Sequence, residues 1–285
     1  MSGILYLCAT PIGNLEDMTM RAVRILKEVD LIAAEDTRNS IKLLNHFEIH
    51  TPMTSYHEFN KYEKGRYLVG LLLEGKNIAL ITDAGTPGIS DPGEELVRMA
   101  HEAGVTVTAL PGACAAVNAL VLSGLPTRRF CFEAFLPADK KERREVLEEL
   151  KEETRTIVLY EAPHRLLRTL QELFEELGDR SLTVLRELTK KHETVFRTTL
   201  SAAITYYMQN EPKGECVLVL AGEDREDIRK REQEDWCAVP LAEHMEHYIS
   251  RGMAQKEAMK AVAADRGVSK REIYAMLLKD NEMEK

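Results

Sequence analysis

Three times in its first 116 residues the chain runs from a short apolar segment straight into a turn built on glycine and proline. Ile4 to Ala9 leads into Thr10-Pro11-Ile12-Gly13-Asn14, Asn77 to Thr82 into Asp83-Ala84-Gly85-Thr86-Pro87-Gly88, and Val105 to Leu110 into Pro111-Gly112. Short apolar runs bounded by such turns predict buried strands. Residues 19–29, 94–103 and 113–122 are read as helices, and Leu31-Ile32-Ala33-Ala34 as another strand. Alternating strands and helices imply a mostly parallel sheet, which binds ligands in the loops at the carboxyl ends of its strands. Glycine and alanine in those loops let main-chain N–H and C=O groups approach a flat, hydrogen-bonding ligand closely.

The helical pattern breaks around Ser123-Gly124-Leu125-Pro126-Thr127, which places a boundary after residue 124. Strands are predicted at 130–133, 156–160, 182–185 and 215–220, and helices at 139–151, 163–177 and 201–209, making a second α/β lobe. From Glu223 to Glu232 charges of both signs crowd together almost without apolar residues, the pattern of a solvated linker or exposed helix. The tail beyond reads helix, Gly267 turn, helix, the second opened by Ser269-Lys270-Arg271-Glu272 as a capping box; this is a helix-turn-helix outline. The expected organisation is residues 1–124 as an N-terminal α/β lobe with glycine-rich loops, 125–222 as a C-terminal α/β lobe, and 223–285 as a charged linker with a small helical domain.

Several function classes fall away. The five cysteines are scattered, with no CxxC pair and no metal-ligand spacing, so free thiols in a reducing cytosol and no metal site are expected. The amino terminus shows no basic segment followed by a long apolar run, and no apolar stretch reaches the roughly 18 residues of a membrane span. A cytoplasmic protein without membrane contact is expected. No GxGxxG with a following acid and no GxxxxGK[ST] is present, which disfavours a dinucleotide site or a P-loop. The net charge of −9 counts against nucleic acid as a partner, unless basic groups cluster locally.

Ala9 to Asp17, Ala34-Glu35-Asp36-Thr37-Arg38, the Thr82 to Gly93 loop, Leu110-Pro111-Gly112, Leu122 to Pro126, Phe135-Leu136-Pro137, Tyr160-Glu161-Ala162-Pro163-His164-Arg165 and Arg186 to Glu193 closely resemble the ribosomal small-subunit methyltransferase I family, in that family's order. The resemblance covers residues 4 to about 222, and the tail resembles the family's C-terminal helical domain. It implies the tetrapyrrole methylase fold: two α/β lobes with S-adenosylmethionine in the cleft between them, usually as a homodimer. The implied activity is 2′-O-methylation of a cytidine in the decoding region of 16S rRNA, in the 30S subunit. Carried over residue by residue, it implies cofactor contacts from Pro11, Gly13, Asp83, Ala84, Gly85, Thr86, Pro87, Cys114, Ala115, Glu161, Leu188 and Gly214. Gly85-Thr86-Pro87 departs from the Gly-Gly-Asp-Pro of the cobalamin branch and matches the RNA-modifying branch. Ala162 stands where the family more often has serine or threonine.

A ribose hydroxyl is a weak nucleophile and gains from an acceptor or base as it attacks. Among Glu35, Asp36, His57, Asp83, Asp91, Glu161, His164 and Glu187, the residues Asp36, Asp83 and Glu187 are favoured as catalytic, because each follows an apolar strand. Their plain alternatives are a helix cap for Asp36 and pairing with Arg186 or Lys190 for Glu187. For RNA contact the candidates are Arg38, Arg128, Arg129, Lys140, Arg144, His164, Arg165 and Lys190, with Lys42, Lys141, Arg143 and Lys191 beside them. A salt-bridged solvated face is the competing reading for Lys140 to Arg144, and the helix-turn-helix, with Lys270 and Arg271 at the start of its second helix, reads equally as a surface that rests on RNA and as a packing or dimer element. The rival functions are methylation of a tetrapyrrole, another small molecule or a protein in the same cleft, and a non-enzymatic RNA-binding assembly factor.

Overall fold

The computed structural model describes residues 2–283, in two compact units that divide after Gly222. The first unit holds two five-stranded sheets. Strands β1 (Ile4–Cys8), β2 (Leu31–Ala34), β3 (Met53–Ser55), β4 (Ile78–Ile81) and β5 (Thr106–Leu110) form the first, in the order β3-β2-β4-β1-β5 with every pairing parallel. β4 is buried throughout, and its side chains alternate between two cores, as a strand's period of two requires. Ala79 and Ile81 pack with Ile25, Leu26 and Leu44 of helices α1 (Met20–Glu28) and α2 (Thr37–His46). Ile78 and Leu80 pack with Leu68, Leu72, Leu96 and Ala100 of α3 (Lys61–Leu73) and α4 (Gly93–Glu102). Helices on both faces explain why the inner strands β1, β2 and β4 read as continuous apolar runs.

The second sheet comprises β6 (Phe130–Phe135), β7 (Thr156–Glu161), β8 (Ser181–Arg186), β9 (Thr194–Thr199) and β10 (Cys216–Leu220), in the order β6-β7-β10-β8-β9. Only β6 and β7 pair in parallel; β10 runs antiparallel to both β7 and β8, and β9 antiparallel to β8. This half is α/β, as read from the sequence, with a mixed sheet in place of the first sheet's parallel one. The short connection from β8 to β9 has no crossover helix to turn a strand around, and it forces a hairpin. One face is covered by α6 (Lys140–Leu150), α7 (Pro163–Leu177) and α8 (Leu200–Gln209), through Leu147, Leu166, Leu170, Leu173, Leu200 and Ala203. On the other face Val158, Val217 and Val219 meet Ala116, Ala119 and Leu120 of α5 (Ala115–Ser123), the last helix of the N-terminal half.

The elements that escaped the sequence reading include β3, α3 and β9. β3 is three residues long, α3 buries only Gly65, Leu68 and Leu72, and β9 is a largely polar edge strand. None of them carries a strong apolar period.

The second unit, from Glu223, consists of α9 (Arg225–Ala238), α10 (Leu241–Ile249), α11 (Gln255–Asp265) and α12 (Lys270–Met283). α9 is a helix with no buried residue, and the core is Leu241, Met245, Ala258, Val262, Ala263 and Ile273. The capping box forms as read: the Glu272 carboxylate accepts from Ser269 N–H at 2.7 Å, and Ser269 Oγ accepts from Glu272 N–H at 3.3 Å. His244 is fully buried and stacks on Trp236, with ring centroids 3.9 Å apart. Its Nδ1 faces the Arg266 Nε–H donor at 3.1 Å, so the ring proton sits on Nε2 and is donated to Asp265 at 3.1 Å. Burial holds the His244 pKa below its ordinary 6.5, with the charges of Arg266 and His247 acting the same way against Asp265.

Two outcomes are expected. Leu218→Ala, in the middle of β10, should cost about 2–5 kcal/mol in urea unfolding. The unfolded chain takes up a proton at His244 near pH 6.5 while the folded unit resists it, so stability present above that pH is lost as pH falls below it. Trp236 is the single tryptophan, and its fluorescence-monitored urea midpoint should drop between about pH 7.5 and 5.5. His244→Gln should flatten that drop.

Candidate functional site

The three glycine-bearing loops form one floor. Thr10 and Gly85 exchange main-chain hydrogen bonds at 2.9 and 3.0 Å, tying the loop after β1 to the loop after β4. Thr10 Oγ1 donates to the Thr82 carbonyl at 3.1 Å, and Thr86 Oγ1 donates to the Ala113 carbonyl at 2.9 Å, which adds the loop after β5. Gly85 has φ +87°, and a Cβ there would lie 3.2 Å from Ile12 and 3.4 Å from the Ala113 carbonyl oxygen. Glycine at this position lets three main-chain segments meet. Asp91 holds the far end of the long loop by accepting from the N–H groups of Gly88, Ile89 and Gly93.

Above this floor lies a cleft of about 340 Å³. One wall is Ile12, Glu35, Thr82 to Thr86, Ile89, Ser90, Asp91, Cys114 and Ala115; the other is Phe135, Tyr160 to Pro163, Leu188 and Glu215 to Val217. The cleft thus lies at the carboxyl ends of β1, β2, β4 and β5, facing the ends of β6, β7 and β8 and the start of β10. In the first sheet β1 sits between β4 and β5, the point where strand order reverses and where open α/β sheets bind ligands. Five carboxylates line the cleft and no lysine, arginine or histidine does. α5 opens in its wall without a side-chain cap, and the N–H of Ala116 donates to the Tyr160 hydroxyl at 3.2 Å.

Charges in the site are unequally engaged. Glu161, with its side chain 1 % exposed, accepts from Ala162 N–H at 2.7 Å, Arg165 Nε at 2.9 Å and Thr169 Oγ1 at 2.5 Å. Glu35 accepts from Thr82 Oγ1 at 2.6 Å. Among the described residues Asp83 has only the amide of Asn39 as a side-chain hydrogen-bond partner, at 3.4 Å, and its pKa is raised, first by desolvation and then by Glu35 and Asp36. Four of the five described non-glycine residues with left-handed backbone flank or belong to the cleft lining: Ser90, Ala134, Glu187 and Thr189. Such strain persists only where surrounding structure holds it, and it concentrates at functional sites.

The family profile described as Tetrapyrrole (Corrin/Porphyrin) Methylases matches residues 5–204. The chain is 52% identical over 274 residues to the ribosomal RNA small subunit methyltransferase I of Halalkalibacterium halodurans, covering 95% of this chain and 93% of that protein. It is 51% identical to the Bacillus subtilis protein of the same name over 95% and 93% of the two chains, and 50% identical to that of Synechocystis over 97% and 98%. The chain belongs to the ribosomal RNA small subunit methyltransferase I family of tetrapyrrole methylases. Solved structures share its fold. Uroporphyrin-III-C-methyltransferase from Thermus thermophilus superposes with a TM-score of 0.55 at 21% identity, over 77% of this chain and 94% of that one. Diphthine synthase gives 0.59 at 15% identity, over 77% and 90%.

Of the residues singled out in the sequence, Asp83, Ala84, Gly85, Thr86, Cys114, Ala115, Glu161 and Leu188 line the cleft of this methyltransferase-family chain. Pro11, Gly13, Pro87 and Gly214 lie outside the lining. Gly13 passes under Lys190, where a Cβ would come within 2.3 Å of its Cγ, and Gly214 passes beside the Glu187 carboxylate with φ +77°. Asp36 and Glu187 lie outside it too, in the structural roles weighed against them. Asp36 caps α2 and binds Arg38 at 2.7 Å, hydrogen bonds that hold its pKa down to about 2. Glu187 accepts from Lys190 Nζ and Glu215 N–H, each at 3.0 Å, and its pKa is lowered in spite of partial burial.

Arg128, Arg129, Lys140, Arg144 and His164 are exposed, as is Arg38 on its ion pair with Asp36. Arg165 is committed to Glu161 and lies over the Phe135 ring at 5.9 Å, Lys190 is committed to Glu187 and Glu215, and Arg143 is buried against Glu172 and Thr169. Phe135, Tyr160 and Val217 form wall that the sequence reading did not assign. The first two belong to the Phe135-Leu136-Pro137 and Tyr160-to-Arg165 motifs; Val217 gives no signal, because a buried strand residue looks alike on either face.

Glu161→Ala removes a buried carboxylate from three donors, and is expected to lower stability by about 2–4 kcal/mol in urea unfolding. Glu161→Gln, which keeps acceptors for two of them, should lose less.

Proposed function

We propose that this chain transfers a methyl group from S-adenosylmethionine to the 2′-hydroxyl of a cytidine in the decoding region of 16S rRNA, acting on the 30S subunit as a cytoplasmic homodimer. In this reading residues 1–124 and 125–222 are the two lobes that share the cofactor and 223–285 is an appended helical domain. The observation that carries it is a cleft at the strand-order switch point whose ionisable lining is entirely acidic. Its size, its apolar walls of Ile12, Leu188 and Val217 and its close main-chain approach at Gly85 suit a flat adenosine, and its carboxylates suit a cationic centre. Bound there, S-adenosylmethionine supplies an electrophilic methyl group on a positively charged sulfur.

Holding acceptor and methyl in line accounts for much of the acceleration in such a displacement. The rigid floor of stitched loops performs that task from one side, and Tyr160, Phe135 and Leu188 from the other. Of the three favoured acids, Asp83 is the one in the cleft, exposed at its rim and lightly engaged; it accepts the hydrogen bond of the attacking hydroxyl and draws off its proton. Ala84 to Thr86, Cys114 and Ala115 hold the cofactor with main-chain groups, at the positive end of α5. The exposed cations Arg38, Arg128, Arg129, Lys140, Arg144 and His164 meet phosphate, which reconciles an acidic chain with an RNA substrate. Exposed Val117 and Val121 on α5 are apolar side chains available to a second copy.

Incubation with labelled cofactor and 30S subunits that lack native modification, followed by digestion and mass analysis, should yield a ribose-methylated cytidine. Label confined to a base, or absent from RNA, overturns the reading. Asp83→Asn should reduce turnover by about 10²-fold while calorimetry shows cofactor binding retained. Because the ionised carboxylate is the active form and its pKa is raised, wild-type turnover should climb as pH rises through that value, and the variant should lose this limb. Asp36→Ala and Glu187→Ala should retain the limb.

A further inference from the structure

In the helical unit, Gln255, Lys256, Met259, Lys270, Arg271 and Tyr274 line a concave surface between α11 and α12. It contains three cations and no carboxylate, and none of the three makes an ion pair or hydrogen bond among the described residues. Elsewhere many cations are matched: Arg24, Arg98, Lys151 and Arg155 each bind a glutamate. Residues 251–271 carry six cations against two carboxylates in a chain whose net charge is −9. One of those carboxylates, Asp265, is occupied by His244 and Tyr248. The positions are unfavourable for the helices themselves. Lys256 stands in the first turn of α11, and Lys270 and Arg271 in the first turn of α12, where the helix dipole favours acids. Tyr274, one turn further along α12, is 56 % exposed.

We infer that this surface binds single-stranded RNA, with Lys256, Lys270 and Arg271 on consecutive phosphates and the Tyr274 ring stacked on a base. Cations kept where the fold would prefer acids, beside an exposed aromatic ring, match the two chemistries of a single strand, a charged backbone and a flat unpaired base. The RNA identity rests on the proposed function; the surface adds a point of hold carried by the helical unit itself.

The test uses the full chain, with fluorescence anisotropy on a labelled single-stranded oligoribonucleotide across a range of salt. Lys270→Glu/Arg271→Glu should weaken binding by at least about 10-fold and reduce the steepness of log K against log salt by roughly 1.4, two phosphate contacts' worth. Tyr274→Ala should weaken binding by about 5- to 10-fold and leave the salt slope unchanged. The charge reversal places acids in the first turn of α12, so its thermal midpoint should hold or rise, which separates lost binding from lost fold. On unmodified 30S subunits KM should rise about 10-fold, with kcat within about twofold.

Variants that bind RNA with wild-type affinity and salt slope overturn the inference. So does a loss seen only on intact subunits with RNA affinity unchanged, which assigns the face to a ribosomal protein. Wild-type protein that binds the oligonucleotide through this face yet methylates no rRNA overturns the proposed function and leaves the inference standing.

Discussion

The packing of α5 against the second sheet is the constraint from which the first unit's geometry follows. Ala116 and Ala119 are small enough for the helix to settle closely on Val158, Val217 and Val219, so a helix that leaves the first sheet completes the core of the second. Its carboxyl end is held by the same half. The Leu122 carbonyl accepts from Arg197, and that of Ser123 from Thr183 and Arg197, while Gly124 turns the chain with φ +77°. These partners satisfy carbonyls that a helix end otherwise leaves open. Its amino end, by the same placement, opens in the cleft at Cys114 and Ala115.

With both sheets fixed by one helix, the strand ends face each other and the loops between them acquire a fixed spacing. The first sheet's loops are held by hydrogen bonds among Thr10, Thr82, Gly85, Thr86 and Ala113, not by their own side-chain bulk. The opposite wall keeps its shape through left-handed residues at Ala134, Glu187 and Thr189, with Glu187 anchored to Lys190 and Glu215. Many of the acids near the cleft serve this scaffold: Asp91 gathers loop N–H groups, Glu161 closes the start of α7, and Asp36 caps α2. Asp83 alone of the favoured acids is left facing the cleft with little to hold it.

Much of this was legible in the chain itself where apolar residues ran together. β4 is buried throughout and β1 and β2 largely so, and they announce themselves as runs; β5, a half-exposed edge strand, was marked by its apolar end and, like β1 and β4, by the glycine turn that follows it. β3, α3 and β9 were not legible, since a three-residue strand, a helix with a narrow buried stripe and a polar edge strand leave no period to read. The three loops were identified as candidate site from their position after strands. That Thr10 and Gly85 are bonded to each other, across 75 residues of chain, was not readable from either loop. Asp36, Asp83 and Glu187 looked equivalent because each follows an apolar strand. Their partners distinguish them: Asp36 is taken up by Arg38 and its own helix and Glu187 by Lys190 and Glu215, while Asp83 meets only Asn39 of α2 among the described residues.

The sequence by itself determined the kinds of element, the turns that end them, and the family to which the chain belongs, because these depend on local periodicity and on runs of neighbouring residues. The tertiary structure alone decided that the second sheet is largely antiparallel, that α5 packs on the second sheet, and that Asp83, of the three favoured acids, lines the cleft. Those outcomes depend on contacts between residues far apart in the chain, and a carboxylate's chemistry is set by the donors and burial that such contacts bring to it.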